Sequence, residues 1–301
     1  MADVSSSRPT AVRVIQGPVY GYATTPFSGV TKTIQPQVQW PAYVAHPSVQ
    51  CRTPAAAPTA VPKALPGASK RVFTNAKSLM MAYNFKSDFK IDGRPLILSV
   101  DPVDSERSHV ATGLRAWDGG IVLAKYLEKC VPKVPAASRR LRGLELGCGT
   151  GVAGLSFALM GNEVLLTDIG DLQASLTQGN ITQNQASLSA AGGAASYGSL
   201  DWRRLPERGQ YGYFDLVFAG DVIWHESLVE PFLKAVAWAA SGPGVGEVIL
   251  SHKVRDQESV LLFRQMLAPL GLQISKEVPS EQALGQDGHP AVHVYHLKRV
   301  T

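Results

Sequence analysis

From residue 142 onwards, short apolar runs alternate with helix-length segments, and this alternation leaves few folds open to the chain. Short runs of branched and aromatic residues bounded by turn residues are predicted strands. The segments between them carry apolar side chains at the spacing of one helix face. Strands that alternate with helices build a mainly parallel sheet with helices packed against it. We therefore predict an α/β fold with a Rossmann-like, mainly parallel sheet.

The predicted strands and helices account for most of this region. The strands are Arg142–Leu146, Glu163–Thr167, Tyr213–Ala219, Gly246–Ser251, Leu272–Glu277 and Val292–Leu297, with a weaker one at Ala195–Leu200. The helices are Ile121–Lys129, Val152–Met160, Leu172–Asn184, Ser227–Ala240 and Asp256–Leu267. The last two strands are separated by residues 279–290, which lack a helix-length apolar period. We expect these two strands to pair as an antiparallel hairpin at the end of the sheet.

The first 87 residues differ in composition from the rest. Nine Lys and Arg against the single acid Asp3 give them a net charge of +8, whereas 20 basic and 23 acidic residues give residues 88–301 a net charge of −3. The first segment is also rich in Pro and Ala, so we predict a disordered basic arm over 1–87. The folded domain, 88–301, begins with a small hairpin around the turn Asp92-Gly93. An acid-poor arm also resembles an organelle transit peptide, which keeps import into an organelle open as an alternative.

Bulk properties exclude several classes of protein. No apolar run approaches the roughly 20 residues that cross a bilayer, and residues 1–7 are not followed by the apolar core of a secretory signal. The cysteines Cys51, Cys130 and Cys148 lack the paired short spacings of a zinc site or a disulfide framework. We therefore expect no bound metal and no membrane-spanning segment. We also expect the protein to be in a reducing, cytoplasmic compartment. The slightly acidic charge of residues 88–301 argues against nucleic acid as a binding partner and permits a basic one.

A glycine-rich loop, Leu144 to Gly151, joins a predicted strand to a predicted helix. Gly147, Gly149 and Gly151 stand where the backbone has to turn sharply and let a ligand approach. We interpret the loop as a nucleotide cradle, with a plain strand-to-helix turn as the alternative. A dinucleotide-binding fingerprint would need its third glycine at position 152, which is Val152.

The acid Glu145 lies at the end of the strand before these glycines. This acid and glycine spacing resembles the first motif of the seven-strand methyltransferases, which bind S-adenosyl-L-methionine. The resemblance implies a cofactor site lined by Glu145, Gly147, Cys148, Gly149 and Gly151, in which a carboxylate favours the cationic sulfonium. It also implies the fold of a Rossmann-like seven-strand methyltransferase with an antiparallel C-terminal hairpin.

Two further positions extend this cofactor hypothesis. Asp168 closes the next predicted strand, 21 residues beyond Gly147, where a carboxylate can accept hydrogen bonds from both ribose hydroxyls. On its own, it can equally cap the following helix. Asp201-Trp202 ends the next unit, where an acid and an aromatic plane can hold an adenine. A core tryptophan beside a capping aspartate is the alternative there.

Four blocks of the chain resemble, in order, the non-histone protein-lysine methyltransferases of lysine methyltransferase family 16. The blocks are residues 113–127 with Trp117-Asp118, Glu145 to Leu155, Asp168 with Leu172 and Asn180-Ile181, and Phe214 to Trp224. The resemblance spans about residues 113–300, and the branch includes enzymes that methylate chaperones and the valosin-containing AAA ATPase.

Carried over by position, the resemblance implies that the cofactor is contacted by Trp117, Gly147, Cys148, Gly149, Asp168, Trp202 and Gly220. Asp221 begins a motif that in this branch reads Asp, two residues, Tyr, and lines the methyl-acceptor channel. Trp224 replaces the tyrosine, so an indole N–H and an aromatic face suited to an alkylammonium replace a hydroxyl. Asp221 and Trp224 are the predicted catalytic residues, and we hypothesise that Asp221 orients the acceptor amine.

Nearby polar residues leave alternatives open. His225 could act as a general base or lie at a solvated helix N-terminus, and Lys253 and Arg255 could face the substrate or lie in a solvated loop. The predicted function is S-adenosylmethionine-dependent methylation of lysine in a non-histone protein, such as a chaperone or AAA ATPase, by a monomer. A small-molecule amine N-methyltransferase shares every cofactor feature, and a catalytically silent binding module would keep only the fold.

Overall fold

The computed structural model describes residues 78–100, 112–132, 139–207, 210–242, 245 and 247–300. Residues 1–77, which make up most of the predicted basic arm, lie outside the described residues, as does Gly246 at the start of a predicted strand. Among the described helices, none has both the length and the apolar character that a membrane crossing requires.

Residues 78–100 form an entry segment that contains a small hairpin. Strands β1 (Lys90–Ile91) and β2 (Arg94–Pro95) pair antiparallel, and Asp92 and Gly93 form the turn with positive φ angles of 50° and 74°. Both residue types tolerate this left-handed conformation better than most. The predicted entry hairpin is confirmed.

Seven strands form one mixed sheet. They are β3 (Arg142–Leu146), β4 (Glu163–Asp168), β5 (Ala194–Ser199), β6 (Leu216–Gly220), β7 (Glu247–Lys253), β8 (Leu272–Pro279) and β9 (Val292–Arg299). Their order across the sheet is β5-β4-β3-β6-β7-β9-β8. Strands β3 to β7 run parallel, and β9 runs antiparallel to both of its neighbours. The predicted mainly parallel sheet and its antiparallel C-terminal hairpin are confirmed.

Six α-helices flank this sheet in the described part of the chain. They are α1 (Asp118–Cys130), α2 (Val152–Leu159), α3 (Asp171–Ala190), α4 (Val229–Ala239), α5 (Gln257–Leu267) and α6 (Ser280–Leu284). Alternate residues of β6 point into two separate cores. Leu216 and Phe218 pack with the side chains of α1 and α2, whereas Val217 and Ala219 pack with those of α4 and α5. Burial on both faces explains why the central strands are continuous apolar runs.

Most elements differ from their predicted bounds by one or two residues, and α1 begins three residues early, at Asp118. Helix α3 extends to Ala190, six residues beyond its predicted end, and was predicted too short because the added residues bury only Leu188. Strand β6 begins at Leu216 and not at Tyr213, since the carboxylate of Asp215 accepts a hydrogen bond from the backbone N–H of Arg142 (2.8 Å). The stretch 279–290, predicted to be without a helix, contains the single-turn helix α6.

The entry segment begins inside the region assigned to the disordered arm. Leu79 and Phe85 are buried in the core, and the Ser78 hydroxyl donates a hydrogen bond to Asp118 at the start of α1 (2.8 Å). The predicted boundary between residues 87 and 88 is therefore wrong, because residues 78–87 already pack onto the domain. Composition placed the boundary too late because this stretch, like the segment before it, contains no acidic residue beyond Asp3.

Candidate active site

The carboxyl ends of five parallel strands meet at one edge of the sheet. Strand β3 leads into Gly147, β4 ends at Asp168, β5 is followed by Trp202, β6 by Asp221, and β7 by Arg255. Open α/β sheets bind ligands at this edge, where the strand order reverses. The order reverses here between β3 and β6, so the predicted site residues gather at the expected position.

The glycine loop, residues 147–151, follows β3 in a left-handed backbone conformation. The φ angles of Gly147, Gly149 and Gly151 are 67°, 53° and 82°. A Cβ atom at Gly147 would lie 2.7 Å from Cγ1 of Val222 and 3.0 Å from the Trp202 ring. Glycine is required here for both conformation and space, because an L side chain strains this backbone and would fill the cleft.

Asp168 is bound to the glycine loop. One carboxylate oxygen accepts a hydrogen bond from the N–H of Gly149 (2.8 Å), and the other accepts one from the N–H of Ile169 (2.8 Å). Burial raises the pKa of Asp168 above its usual value, although these two N–H groups act in the opposite direction. A carboxylate offers about four acceptor positions, so two remain for the hydroxyl groups of a ligand.

Glu145 lies beneath the glycine loop and not on its surface. Strand β3 is buried along its whole length, and the Glu145 carboxylate accepts a hydrogen bond from the N–H of Gly154 in the first turn of α2 (2.9 Å). Burial raises its pKa well above the usual range. The predicted cofactor contact of Glu145 stays a prediction, and the contact that the structure shows is with the first turn of α2.

The Cys148 side chain also points inward. Its thiol lies 3.9 Å from the hydroxyl of Thr177, burial raises its pKa, and its backbone N–H donates to the carbonyl of Thr167 (2.9 Å). The predicted cofactor contact of Cys148 stays a prediction, and the inward direction of the thiol leaves the backbone of this residue to make it. Gly151 lies at the N-terminal end of α2, where its N–H donates to the carbonyl of Cys148 (2.8 Å).

A polar face of α3 supports the loop, and none of its residues was among the predicted site residues. Gln173 and Thr177 both donate hydrogen bonds to the carbonyl of Gly149, the latter at 2.8 Å. The amide of buried Asn180 donates to the carbonyl of Thr150 (2.9 Å). These residues recur at the helical spacing i, i+4, i+7. A stripe of polar residues at the period of one helix face was therefore the available signal.

The segment before α1 lies against the same loop. A Cβ atom at Gly149 would be 3.1 Å from the carbonyl oxygen of Gly113. Trp117 precedes α1 and is partly buried, and its indole N–H donates to the carbonyl of Thr112 (2.6 Å). Residues 112–117 therefore form a wall next to the glycine loop, which is the position that the predicted cofactor contact of Trp117 requires.

Trp202 crosses from the end of β5 towards β3 and β6. Its ring approaches Gly147 and packs against Phe232 of α4, with ring centroids 5.2 Å apart. The ring is partly buried, so Trp202 joins the core of α4 and α5 while it borders the loop. Both interpretations of this residue, core packing and site wall, describe part of its environment.

Gly220 has a packing role that the resemblance did not imply. A Cβ atom at this position would lie 2.8 Å from the Cα atom of Gly120 in α1. The missing side chain thus lets the end of β6 and the first turn of α1 approach closely. The structure gives no support for the predicted cofactor contact of Gly220, because the vacant side-chain direction is filled by this helix backbone.

Asp221 follows Gly220 and is held by an ion pair. Its side chain is fully buried, and both oxygens bind the Arg255 guanidinium, Oδ1 to Nη1 and Oδ2 to Nη2, each at 2.8 Å. The backbone N–H of Lys253 also donates to Asp221 Oδ1 (3.1 Å). The φ angle of Asp221 is 58°, a left-handed conformation that costs energy outside glycine. Arg255 therefore faces Asp221 and is not simply a solvated loop residue.

Trp224 follows Asp221 by three residues in the chain and is exposed. Half of its surface is accessible, and its ring lies 6.1 Å from that of His225. His225 Nδ1 accepts a hydrogen bond from the N–H of Ser227 (3.2 Å) and caps the short 3-10 helix Glu226–Leu228. The capping interpretation of His225 agrees with these contacts, while Trp224 remains available to a ligand.

These features fit S-adenosyl-L-methionine. The absence of a side chain at Gly147 lets Val222 and the Trp202 ring pack directly against the loop, and the Asp168 carboxylate next to the loop keeps acceptor positions for ribose hydroxyls. The described residues contain no group of three or more His, Cys, Asp or Glu side chains that could hold a metal ion. The strand order, the loop after β3 and the acid after β4 define a Rossmann-like, S-adenosylmethionine-dependent methyltransferase.

Sequence comparison places the chain within this class. A model of the lysine methyltransferase family matches residues 102–268, so the chain belongs to that family. The protein N-lysine methyltransferase METTL21A of Danio rerio is 28% identical over 185 residues, covering 60% of this chain and 74% of the relative. The EEF1A lysine methyltransferase 3 of Mus musculus is 30% identical over 162 residues, covering 54% of this chain. The aligned part spans 65% of that mouse relative's length.

Solved structures give a weaker overall likeness. The ribosomal protein L11 methylase of Lactobacillus delbrueckii subsp. bulgaricus superposes with a TM-score of 0.43 at 18% identity, over 72% of this chain and 92% of its own. The strand topology described above is therefore the stronger basis for the fold class.

Proposed function

We propose that this chain transfers a methyl group from S-adenosylmethionine to lysine side chains of a non-histone protein. The observation that carries the proposal is Trp224, an exposed aromatic ring three residues beyond the buried Asp221 at the ligand-binding edge of the sheet. An exposed ring can hold an alkylammonium by cation–π attraction. Its position near the surface suits a side chain presented by another protein.

The residues of the chain divide the work of the reaction. S-adenosylmethionine, when bound, supplies an activated methyl group on a sulfonium. Gly147 and Asp168 would hold the nucleoside, and the polar face of α3 fixes the loop carbonyls. Trp224 would border the path of the acceptor amine. The protein thus contributes mainly alignment, which is worth several orders of magnitude in rate when reacting groups are held in line.

The acceptor has to arrive without its proton. A lysine amine has a solution pKa of about 10.4 and is charged at neutral pH. Transfer from water to a site lined by Trp224 and apolar groups favours the neutral amine, because burial penalises the charged form. The lone pair of nitrogen is then free to attack. The chain needs no general base if the proton leaves to water during entry.

Elongation factor 1A is the first protein substrate to test, because one of the similar relatives is described as an EEF1A lysine methyltransferase. A chaperone or an AAA ATPase remains a further proposed partner. We also propose that the chain acts as a monomer in the cytoplasm. Size-exclusion chromatography and fractionation of cells that express the tagged chain test these two points, and a dimer or an organellar signal would contradict them.

Methyl transfer to protein can be measured directly. Purified full-length chain is incubated with methyl-labelled S-adenosylmethionine and either purified elongation factor 1A or lysate from cells that lack the chain. Asp168→Ala serves as the inactive control. The proposal predicts label in one or few protein bands, recovered as methyl-lysine after hydrolysis.

Two results would overturn the proposal. Label found only in small molecules would identify an amine N-methyltransferase. Absence of transfer to either preparation, together with absence of cofactor binding by calorimetry, would identify a catalytically silent module. Label in the lysate but not in elongation factor 1A would support lysine methylation of another protein.

A further inference from the structure

Two acids and two bases form one cluster where β6 and β7 meet the start of α1. Lys253 Nζ lies 2.7 Å from Asp118 Oδ2, and Arg255 pairs with Asp221 through both nitrogens. The pairs are linked, since Arg255 Nη1 donates to the carbonyl of Lys253 (3.1 Å) and the Lys253 N–H donates to Asp221. The cluster therefore carries no net charge.

The two kinds of charge differ in exposure. The side chains of Asp221 and Asp118 are 0% and 4% exposed, whereas those of Arg255 and Lys253 are 34% and 29% exposed. The carboxylates thus lie behind the cations. An amine that approaches from solvent meets the guanidinium and the ammonium before it meets either acid.

Two histidines beside the cluster add no charge at neutral pH. Burial lowers the pKa of His252 and of His289, so both are neutral there. Asp256 is exposed and caps α5 by accepting a hydrogen bond from the N–H of Ser259 (2.6 Å). The other groups that face the cluster are His293 on β9 and Glu281 on α6.

We propose that Arg255 is a charge-compensating positioning residue of the acceptor site, which keeps Asp221 from holding the incoming amine in its protonated form. This inference rests on the proposed lysine methylation. A bare carboxylate beside the amine would favour the ammonium, whose nitrogen has no lone pair for attack. The bidentate pair removes that bias and leaves Asp221 as a fixed anchor for the end of β6.

The sign of the effect follows from the charges. With Arg255 removed, the uncompensated charge of Asp221 stabilises the ammonium form of the acceptor, so the amine loses its proton only at higher pH. That proton has to leave before the methyl group can be transferred. Loss of Arg255 should therefore move the acid limb of the pH–rate profile to higher pH and reduce kcat at neutral pH, without raising KM.

The test is the pH–rate profile of four variants against wild type. Initial rates of methyl incorporation into lysate protein from cells lacking the chain are measured between about pH 6 and 10. The variants are Arg255→Gln, Arg255→Lys, the double variant Asp221→Asn with Arg255→Gln, and Arg139→Gln. Arg139 pairs with the buried Asp215 (2.5 Å), which precedes β6 at the opposite end of the strand from Asp221, and it serves as the matched loss of an arginine–carboxylate pair.

We expect Arg255→Gln to raise the acid limb by about one pH unit, the shift that one nearby charge produces, and to lower kcat at pH 7 about tenfold. Arg255→Lys and the double variant should return the limb towards wild type because both restore neutrality. Arg139→Gln should leave the profile unchanged. The melting temperature of the cofactor-free protein gives an independent readout, and it should fall for Arg255→Gln and recover partly in the double variant.

A parallel loss of rate at every pH in Arg255→Gln would overturn the inference, because it would show a structural role alone. Failure of the double variant to restore the limb would do the same. Absence of methyl-lysine with the wild-type chain would instead overturn the proposed function, and the inference with it. If the wild-type chain methylates lysine but the acid limb of Arg255→Gln is not shifted, the role of Arg255 is excluded and the proposed function still holds.

Discussion

Asn180 and Asn184 provide a matched pair of substitutions that tests how α3 supports the glycine loop. Both are buried, and both hold the entry segment, Asn180 through the N–H and carbonyl of Ser99 (2.8 and 3.1 Å) and Asn184 through those of Ile97 (3.0 and 2.6 Å). Only Asn180 also donates to the carbonyl of Thr150 in the loop (2.9 Å). Replacement of either by alanine should therefore cost similar stability, but only Asn180→Ala should affect cofactor binding.

The magnitude follows from the number of hydrogen bonds. Each variant loses three, because the amide of Asn184 also donates to the carbonyl of Asn180 (2.8 Å). A net value of about 1 kcal/mol per bond then predicts a loss of about 3 kcal/mol in the free energy of unfolding. The lost bond to Thr150 should weaken the affinity for S-adenosylmethionine about fivefold to tenfold in Asn180→Ala, which corresponds to about 1 to 1.4 kcal/mol. Asn184→Ala should change the affinity less than twofold.

Urea denaturation and calorimetric titration measure the two effects separately. The midpoint should fall in both variants while the slope of the unfolding free energy stays constant, since no change in exposed surface is expected. Equal losses of affinity in the two variants would refute the reasoning, because they would show that α3 acts through global stability. An unchanged affinity in Asn180→Ala would show that the bond to the loop has no role in binding.

Two further predictions concern the loop itself. Glu145→Gln should flatten the pH dependence of stability, because the raised pKa of buried Glu145 makes the folded state bind a proton that the unfolded state releases. The stabilisation that this group gives the wild-type protein is fully present below the unfolded pKa and is lost as pH rises through the folded pKa. The urea midpoints of the two proteins should therefore diverge towards alkaline pH. Parallel dependence of the two midpoints on pH would contradict this prediction. Gly147→Ala should abolish most cofactor affinity in calorimetry, whereas Gly271→Ala, with the same φ of 67° and nothing within 4 Å, should cost only about 1 kcal/mol of stability. Equal effects on affinity would exclude a cradle at Gly147.

The fold was accessible from sequence because its elements carry local signals. Strand β3 has its predicted bounds, and β4 extends its predicted range by one residue at the end. Their apolar runs are continuous because helices cover both faces of the sheet. Helix α3 was predicted too short because residues 185–190 bury only Leu188, which is too little for an apolar period.

The site was accessible only in part. The position of Asp168 beside Gly149 follows from strand alternation and loop spacing, which are local. The depth of Glu145 depends on helices packed over β3, and the pairing of Asp221 with Arg255 joins residues 34 positions apart. Charge pairs of this kind depend on how β6 and β7 align in the sheet, so neither composition nor motif spacing could specify them.

The central claim is that the glycine loop and Asp168 bind S-adenosylmethionine, and calorimetric titration of the full-length chain tests it most directly. We expect one binding site for S-adenosylmethionine in the wild-type protein. The affinity of Asp168→Ala should be about 100-fold lower, since two hydrogen bonds from the ligand to a charged acceptor are lost. Asp171→Ala, at an exposed position three residues further on, should bind as the wild type does. Absence of binding to the wild-type chain, or an Asp168→Ala affinity equal to that of wild type, would contradict cofactor binding by the glycine loop and Asp168.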